Sequence, residues 1–317
     1  MEDKRNYYFD NAKALLIFLV VLTHIIEPVL DIKFKLKTFY IITYTFHMPL
    51  FIFLSGYFAK KSSRSTKSKA KKMFLLFVVI QFFYSLFYIF IMHSKIAKMT
   101  WIYPNWTLWY LQALVVWYII SDYFNGFYKW FIGSIIIALL AGFDENIYTF
   151  ISTSRILVFL PFFVLGYYFN ERYIEVIKKN RIYLSILGAI IGFFVYRYNN
   201  RIDVQWLYGF EPYVQISSNL MVGMLIRLSV LVIAIIFSLI VLGWVPRKRN
   251  MFSFLGKYTL IVYLSHSLII QAFMRFDLYN RDTNIQLLIT SILILICVYS
   301  TVFIYLFYEK FKIKLVK

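Results

Sequence analysis

The sequence predicts an all-α, polytopic integral membrane protein of about ten transmembrane helices with both termini in the cytoplasm, and three observations predict it. First, the 317-residue chain is 61% hydrophobic and 21% aromatic but only 15% charged, a balance that a water-soluble domain of this length does not tolerate. Second, apolar runs of roughly bilayer length recur along it. Third, its basic residues gather in alternate connecting segments.

The apolar runs lie near 14–31, 39–58, 73–92, 107–121, 131–143, 156–170, 183–197, 221–243, 258–276 and 286–308. The first follows a polar start, MEDKRNYYFDNAK, with no small-residue cleavage signal, so it reads as a retained helix and not as a signal peptide. Ten crossings put 60–72, 122–130, 171–182, 246–257 and 309–317 on the side of the N-terminus. With Lys4, Arg5 and Lys13, that side then holds 23 of the 34 Lys and Arg; the opposite side holds 10, and Arg227 stays inside an apolar run. Positive charge is retained in the cytoplasm, which sets the N-in, C-in orientation.

The formal charge of +19 does not point to nucleic acid, because the basic residues sit in short segments between apolar runs and form no continuous polar face. Cys297 is the one cysteine and falls in an apolar run, which leaves neither a disulfide framework nor a cysteine metal site. Segment 60–72 carries seven positive charges and no negative ones. It reads as a topology determinant that also meets anionic lipid, and contact of a few of its residues with a bound phosphate is compatible with that. There is no internal repeat and no Gly-rich phosphate loop. Residues 1–317 are therefore expected to form a single domain, without room for a soluble catalytic module.

Chemistry is sought where polarity is buried in hydrocarbon, because that burial must be compensated. His24 lies in the middle of the first run. Lys13, 11 residues earlier, falls on nearly the same face, roughly 16 Å away along the helix. His47 and Lys60, 13 residues apart, repeat the arrangement on a helix of opposite direction, and His266 in the ninth run lies at a similar depth. A neutral imidazole is suited to act as a general base near neutral pH. Taken singly, each histidine also fits a polar residue hydrogen-bonded between helices. His93, beside Lys95 and Lys98, reads as a loop residue.

Three buried histidines also suit a metal, but no His-x-x-x-His or Cys-His spacing occurs, so none is expected. Ser55, Ser265 and Ser267 lack a Gly-x-Ser-x-Gly elbow. Glu27 lies three residues after His24 and before Pro28, positioned either to orient the imidazole and receive its charge or to sit as an ordinary carboxylate at the outer surface. Arg155 opens the sixth run, where it either holds an anionic or polyhydroxylated acceptor or snorkels to the interface. Trp101, Trp106, Trp109 and Tyr110 form either an aromatic belt or a sugar-stacking surface.

Several stretches resemble one family. They are Phe9-Asp10-Asn11-Ala12-Lys13 through Thr23-His24, Phe46-His47-Met48-Pro49 through Ser55-Gly56-Tyr57, Leu108-Trp109-Tyr110-Leu111, the Arg155 segment ending Leu165-Gly166-Tyr167, and Leu255-Gly256-Lys257-Tyr258 through Tyr263-Leu264-Ser265-His266. In this order and spacing, over nearly the whole chain, they resemble the membrane-bound acyltransferase-3 family, and within it the fucose 4-O-acetylase-like and polysaccharide O-acetyltransferase branch. The resemblance implies a ten-helix fold that moves an acyl group, usually acetyl, from cytoplasmic acyl-CoA to a hydroxyl of an extracytoplasmic glycan or envelope polymer. It implies His24 as the catalytic residue; Glu27, on the reading above in which it orients the imidazole, joins it as a catalytic candidate. Lys13 stands where the family often has arginine; it offers a point charge and not a fork. Lys60, Lys61 and Arg64 are the nearest counterparts of the family's cytoplasmic arginines, all toward acetyl-CoA. His47, Trp109, Arg155, Tyr263 and His266 are the expected substrate-binding residues.

The expected partners are thus acyl-CoA, a glycan acceptor and the lipid bilayer, in a bacterial plasma membrane. Two other classes compete. One is a transporter or exporter using the midplane histidines, although the repeated halves common in such folds are not seen. The other is a non-catalytic sensor or assembly subunit, which would tolerate loss of His24.

Overall fold

In the computed structural model, which describes residues 6–93, 103–147 and 152–315, Asn6 caps the first helix by accepting a hydrogen bond from the Tyr8 N–H at 3.1 Å. Lys4, Arg5, Lys95, Lys98 and Trp101 lie outside the described residues. Helix α1 (Tyr7–Ile26) gives way at Pro28 to a 3₁₀ turn, Glu27–Val29. Helix α2 (Phe34–Lys61) contains Pro49, and α3 (Thr66–Leu86) is capped by Ser65 and continues into a π-helical turn, Phe87–Ile91. Next come α4 (Trp109–Ile120), entered through a 3₁₀ turn at Trp106–Leu108, then α5 (Phe127–Leu140) and α6 (Thr153–Tyr168). Four helices follow: α7 (Tyr173–Lys179), α8 (Arg181–Tyr198) and the short α9 (Gln205–Tyr208) and α10 (Tyr213–Ile216). The last are α11 (Leu220–Trp244), α12 (Thr259–Arg275), preceded by a 3₁₀ segment Met251–Lys257, and α13 (Asn284–Leu315). All regular structure among the described residues is helical.

This is the architecture of a polytopic membrane protein. Each of the ten expected spans overlaps a helix, but length and apolarity single out six, or up to seven when Met251–Lys257 and Thr259–Arg275, which meet at 81°, count as one broken span. The difference has a physical reason. Hydropathy continues through turns, so the run near 107–121 covers a 3₁₀ turn, a 12-residue helix and the start of another turn, and a crossing needs about 20 helical residues. Helices α5 and α6 are likewise apolar but short.

The segments expected on one side of the membrane meet at one end of the helices. Asn11 Nδ2 donates to the carbonyls of Pro246 (2.8 Å) and Lys248 (3.0 Å), and Ser253 Oγ donates to Asn11 Oδ1 at 2.5 Å. Lys61 pairs with Glu171 at 2.6 Å, and Thr66 donates to Asp122 at 2.6 Å. At the opposite end, Arg281 donates to Pro28 O (2.6 Å), and Asn199 Nδ2 donates to Thr38 Oγ1 (2.7 Å).

Between helices in lipid, burial of apolar surface gives little drive, so close packing and hydrogen bonds hold the bundle. Helices α2 and α6 show how. A Cβ on Gly56 would strike the carbonyl of Phe163, and a Cβ on Gly166 would strike that of Phe53; only two glycines let the backbones lie this close. Gly256 does the same against the Asp10 carbonyl, seating the 251–257 segment on α1. The outer face of α8 is the converse: Ile182, Tyr183, Ile186, Ile190, Phe193 and Phe194 are all exposed, as a lipid-facing helix requires. Arg227 is buried, donates to Glu211 O at 2.7 Å and lies over the Tyr213 ring.

Candidate active site

His24 opens onto a chamber lined by Val20, His24, Tyr44, Met48, Trp106, Thr107, Trp109, Arg155, Phe159, Tyr208, Tyr263 and His266. Helices α1, α2, α4, α6 and α12 and the segment around α9 thus all contribute. Four of the five expected substrate-binding residues, Trp109, Arg155, Tyr263 and His266, are brought together here with His24. His47 is not among the lining residues. It is fully buried behind Tyr44, whose ring it meets edge-on at 4.6 Å.

The hydrogen bonds fix how the rings present themselves. His24 Nδ1 lies 3.0 Å from a Glu27 carboxylate oxygen. A carboxylate only accepts, so the neutral imidazole carries its proton on Nδ1 and its lone pair on Nε2, the atom a general base needs. His266 Nδ1 meets the Tyr263 carbonyl at 2.7 Å and His47 Nδ1 the Thr43 carbonyl at 2.9 Å, so both of these rings hold the same tautomer. Their Nε2 atoms are buried and have no hydrogen-bond partner among the described residues. The rings of His24 and His266 stand 5.4 Å apart, and Trp106 packs on His24 at 5.0 Å, edge to face.

Behind the chamber the hydroxyls are already committed. Tyr263 OH donates to Thr107 O at 2.5 Å, Thr107 Oγ1 to Ser267 Oγ at 3.2 Å, and Ser267 Oγ shares a 2.5 Å hydrogen bond with Tyr84 OH. This network ties α3, the 3₁₀ turn before α4 and α12 together. Arg155 is fixed from three sides: its guanidinium lies 5.2 Å from the Trp109 ring and 5.0 Å from Phe210, and Nε donates to Tyr208 O at 3.3 Å. The turn that carries Tyr208 is possible because Gly209 takes a left-handed φ of 61°, which glycine adopts without strain. Arg155 is thus a lining residue of the chamber.

Tyr208 also lines a second opening, together with Glu27, Asp31, Lys37, Arg201 and Asp203. Burial first, and then the Glu27 carboxylate, push the Tyr208 phenol up to about 12, so it stays protonated. The chamber therefore adjoins a polar vestibule at the end of the helices away from the basic loop.

The expected phosphate-binding residues divide. Lys60 and Arg64 line a cleft with Lys67, Lys69, Asp122 and Tyr167; Arg64 and Lys69 also line an adjoining cleft with Lys72 and Tyr118. Lys61 is paired elsewhere, with the Glu171 carboxylate and Tyr57 OH. Lys13 pairs with Asp10 at 2.9 Å and lies over the Phe58 ring at 5.1 Å.

Trp106, Tyr44 and Tyr208 are chamber residues that sequence reasoning missed or left in an aromatic belt. Trp106 has φ +31°, an unusual conformation for a bulky residue, as the chain turns it onto His24. Tyr40 and Tyr44, stacked at 4.7 Å, carry an i, i+4 spacing that marks a shared helical face. Nothing local marks Tyr208, which reaches the chamber across a loop.

The fold is an integral-membrane bundle with an imidazole and a carboxylate at a chamber between its helices, and comparison with known families gives the class of protein. The model of the acyltransferase-3 family, an acyltransferase domain, matches residues 6–309. The chain belongs to that family and is a membrane acyltransferase. No curated protein and no solved structure matches it significantly.

Proposed function

We propose that the protein is an acyl-CoA-dependent O-acyltransferase that carries an acyl group, in the simplest case acetyl, to a hydroxyl of an extracytoplasmic glycan or envelope polymer. The observation that carries this reading is the His24 and Glu27 pair, 3.0 Å apart at a chamber that borders an outward vestibule. With Nδ1 held by Glu27, Nε2 of His24 takes the proton of the acceptor hydroxyl as its oxygen attacks the thioester carbon. The C–S bond breaks as the ester C–O bond forms, and the same proton passes to the departing thiolate, so the step balances without any external acid. An acyl-imidazole route through Nε2 uses the same geometry.

The cleft at Lys60, Arg64, Lys67 and Lys69 suits a polyanion such as the CoA phosphates, because several lysines and an arginine face one opening with a single carboxylate, Asp122, among them. In the N-in, C-in orientation that this reading adopts, the cleft faces the cytoplasm of a bacterial cell and the vestibule faces outside.

The test compares envelope glycans by mass spectrometry from cells with the protein, without it, and with His24→Ala. A mass increment of one acyl group that requires His24 supports the reading and identifies the group as acetyl or succinyl. An unchanged glycan profile in all three strains overturns it. Acylated protein that accumulates without acceptor, and is lost in His24→Ala, assigns the covalent route.

A further inference from the structure

Two imidazoles face the chamber in the same tautomer, and only one of them is used by the proposed reaction. His266 Nδ1 donates to the Tyr263 carbonyl at 2.7 Å, which leaves Nε2 able only to accept. This atom is fully buried, without a partner among the described residues, on a ring 5.4 Å from that of His24. Two lone pairs cannot satisfy each other. The nearby hydroxyls of Tyr263 and Thr107 donate elsewhere. A buried acceptor left unpaired is costly, and a ligand that brings a donor relieves that cost.

We propose that the acceptor is a vicinal diol, held by two hydroxyls on adjacent carbons: one gives its proton to His24 and is acylated, and its neighbour donates a hydrogen bond to His266 Nε2 and keeps its proton. The inference rests on the acyl-transfer reading above and specifies the substrate class of that site. Both rings line the same chamber, with their centres 5.4 Å apart, so one acceptor that enters it meets both imidazoles. The pantetheine arm of acyl-CoA carries amide N–H groups and a hydroxyl of its own, and a monodeoxy acceptor separates the two sources because it changes only the acceptor. A site built to accept a hydrogen bond rejects an analogue that lacks the donor, because its buried atom then remains unpaired. His266 is thus a specificity determinant, and its neighbour in the chamber, Arg155, remains available for the ring oxygens.

The experiment uses the full-length protein in proteoliposomes with acetyl-CoA and a panel of methyl hexopyranosides, each beside monodeoxy partners that lack one hydroxyl of a vicinal pair. For the wild type, kcat/KM on a diol exceeds that on its monodeoxy partner by roughly 10- to 100-fold. In His266→Phe, which keeps an aromatic ring but no acceptor, that ratio falls toward one. His266→Asn, which restores a carbonyl acceptor, recovers part of it and serves where the phenylalanine variant does not fold. Equal rates on diol and monodeoxy acceptors in the wild type overturn the inference and leave the acyltransferase reading standing. A preference that survives in both variants overturns the assignment to His266. Acetyl transfer to no member of the panel overturns the transfer reading itself and the inference with it.

Discussion

His24 Nδ1 and a carboxylate oxygen of Glu27 lie 3.0 Å apart, one helical turn along the chain, where α1 ends at Pro28. The contact does two things at once. It selects the tautomer with the lone pair on Nε2, and it ties the imidazole in the chamber to a carboxylate that lines the vestibule. Pro28 contributes by ending α1 at Ile26 and setting Glu27 in a 3₁₀ turn, from which its carboxylate meets the ring.

Glu27→Gln is the matching test. The amide keeps the shape but removes the charge and offers either a donor or an acceptor, so the tautomer is no longer selected. Acyl transfer is expected to fall by roughly 10- to 100-fold, the range typical of a lost orienting partner, with KM for acyl-CoA little changed. His24→Ala removes transfer altogether. Steady-state rates on the purified protein decide it, and wild-type turnover in Glu27→Gln would show that the carboxylate does not orient the base.

The division of the basic residues makes a second prediction. Lys60 and Arg64 line the cleft, whereas Lys61 is paired with Glu171. Lys60→Ala and Arg64→Ala are expected to raise KM for acyl-CoA several-fold each, and more at low ionic strength, where screening is weak. Lys61→Ala is expected to leave KM within about twofold, since its charge is already committed to a carboxylate. Titrations of acyl-CoA at two salt concentrations separate the three variants, and an equal effect of all three would deny the cleft a special role.

Glu171 carries the third. Hydrogen bonds from Lys61 first and Tyr57 second hold its carboxyl below the usual carboxylate range. A depressed folded-state pKa means that this contact stabilises the protein above the unfolded value, near 4.3, and that the contribution disappears as pH falls through the folded value. Glu171→Gln is therefore expected to lower the melting temperature modestly at pH 7, the pair being partly exposed. The gap closes toward pH 3. A difference between the two proteins that is constant across this range would mean that the charge of Glu171 does not contribute.

Much of this was legible in the sequence because the signals are local. The helices follow from apolar runs, and the buried histidines and Arg155 stand out as polarity in hydrocarbon. The number of crossings was less legible, because hydropathy does not register the turns at Trp106–Leu108 or the break between Lys257 and Thr259. Long-range pairing was not legible at all. Lys60 and Lys61 are neighbours with the same charge, and only the position of Glu171, 110 residues away, distinguishes them. His47 and His266 lie in similar surroundings by sequence, yet Tyr44 stands between His47 and the chamber.

Gly56 and Gly166 form the contact on which the placement of Arg155 depends, and it can be tested with a single methyl group. A Cβ at either position meets a backbone carbonyl of the facing helix, which cannot swing aside as a side chain can, so α2 and α6 must separate. Overpacking of this kind costs about 1–3 kcal/mol, and Gly166→Ala is expected to lower the melting temperature by on the order of 5 °C. Because α6 carries Arg155 and Phe159 into the chamber, KM for the acceptor should rise in the same variant. Gly56→Ala presses on the same crossing, so the double variant should lose less than the sum of the singles. Gly133 in α5 provides the control: a Cβ there meets nothing within 4 Å, and Gly133→Ala is expected to leave stability unchanged or slightly raise it, as alanine suits a helix better than glycine. Equal losses from Gly133→Ala and Gly166→Ala would mean that helix propensity, and not the close crossing, governs both.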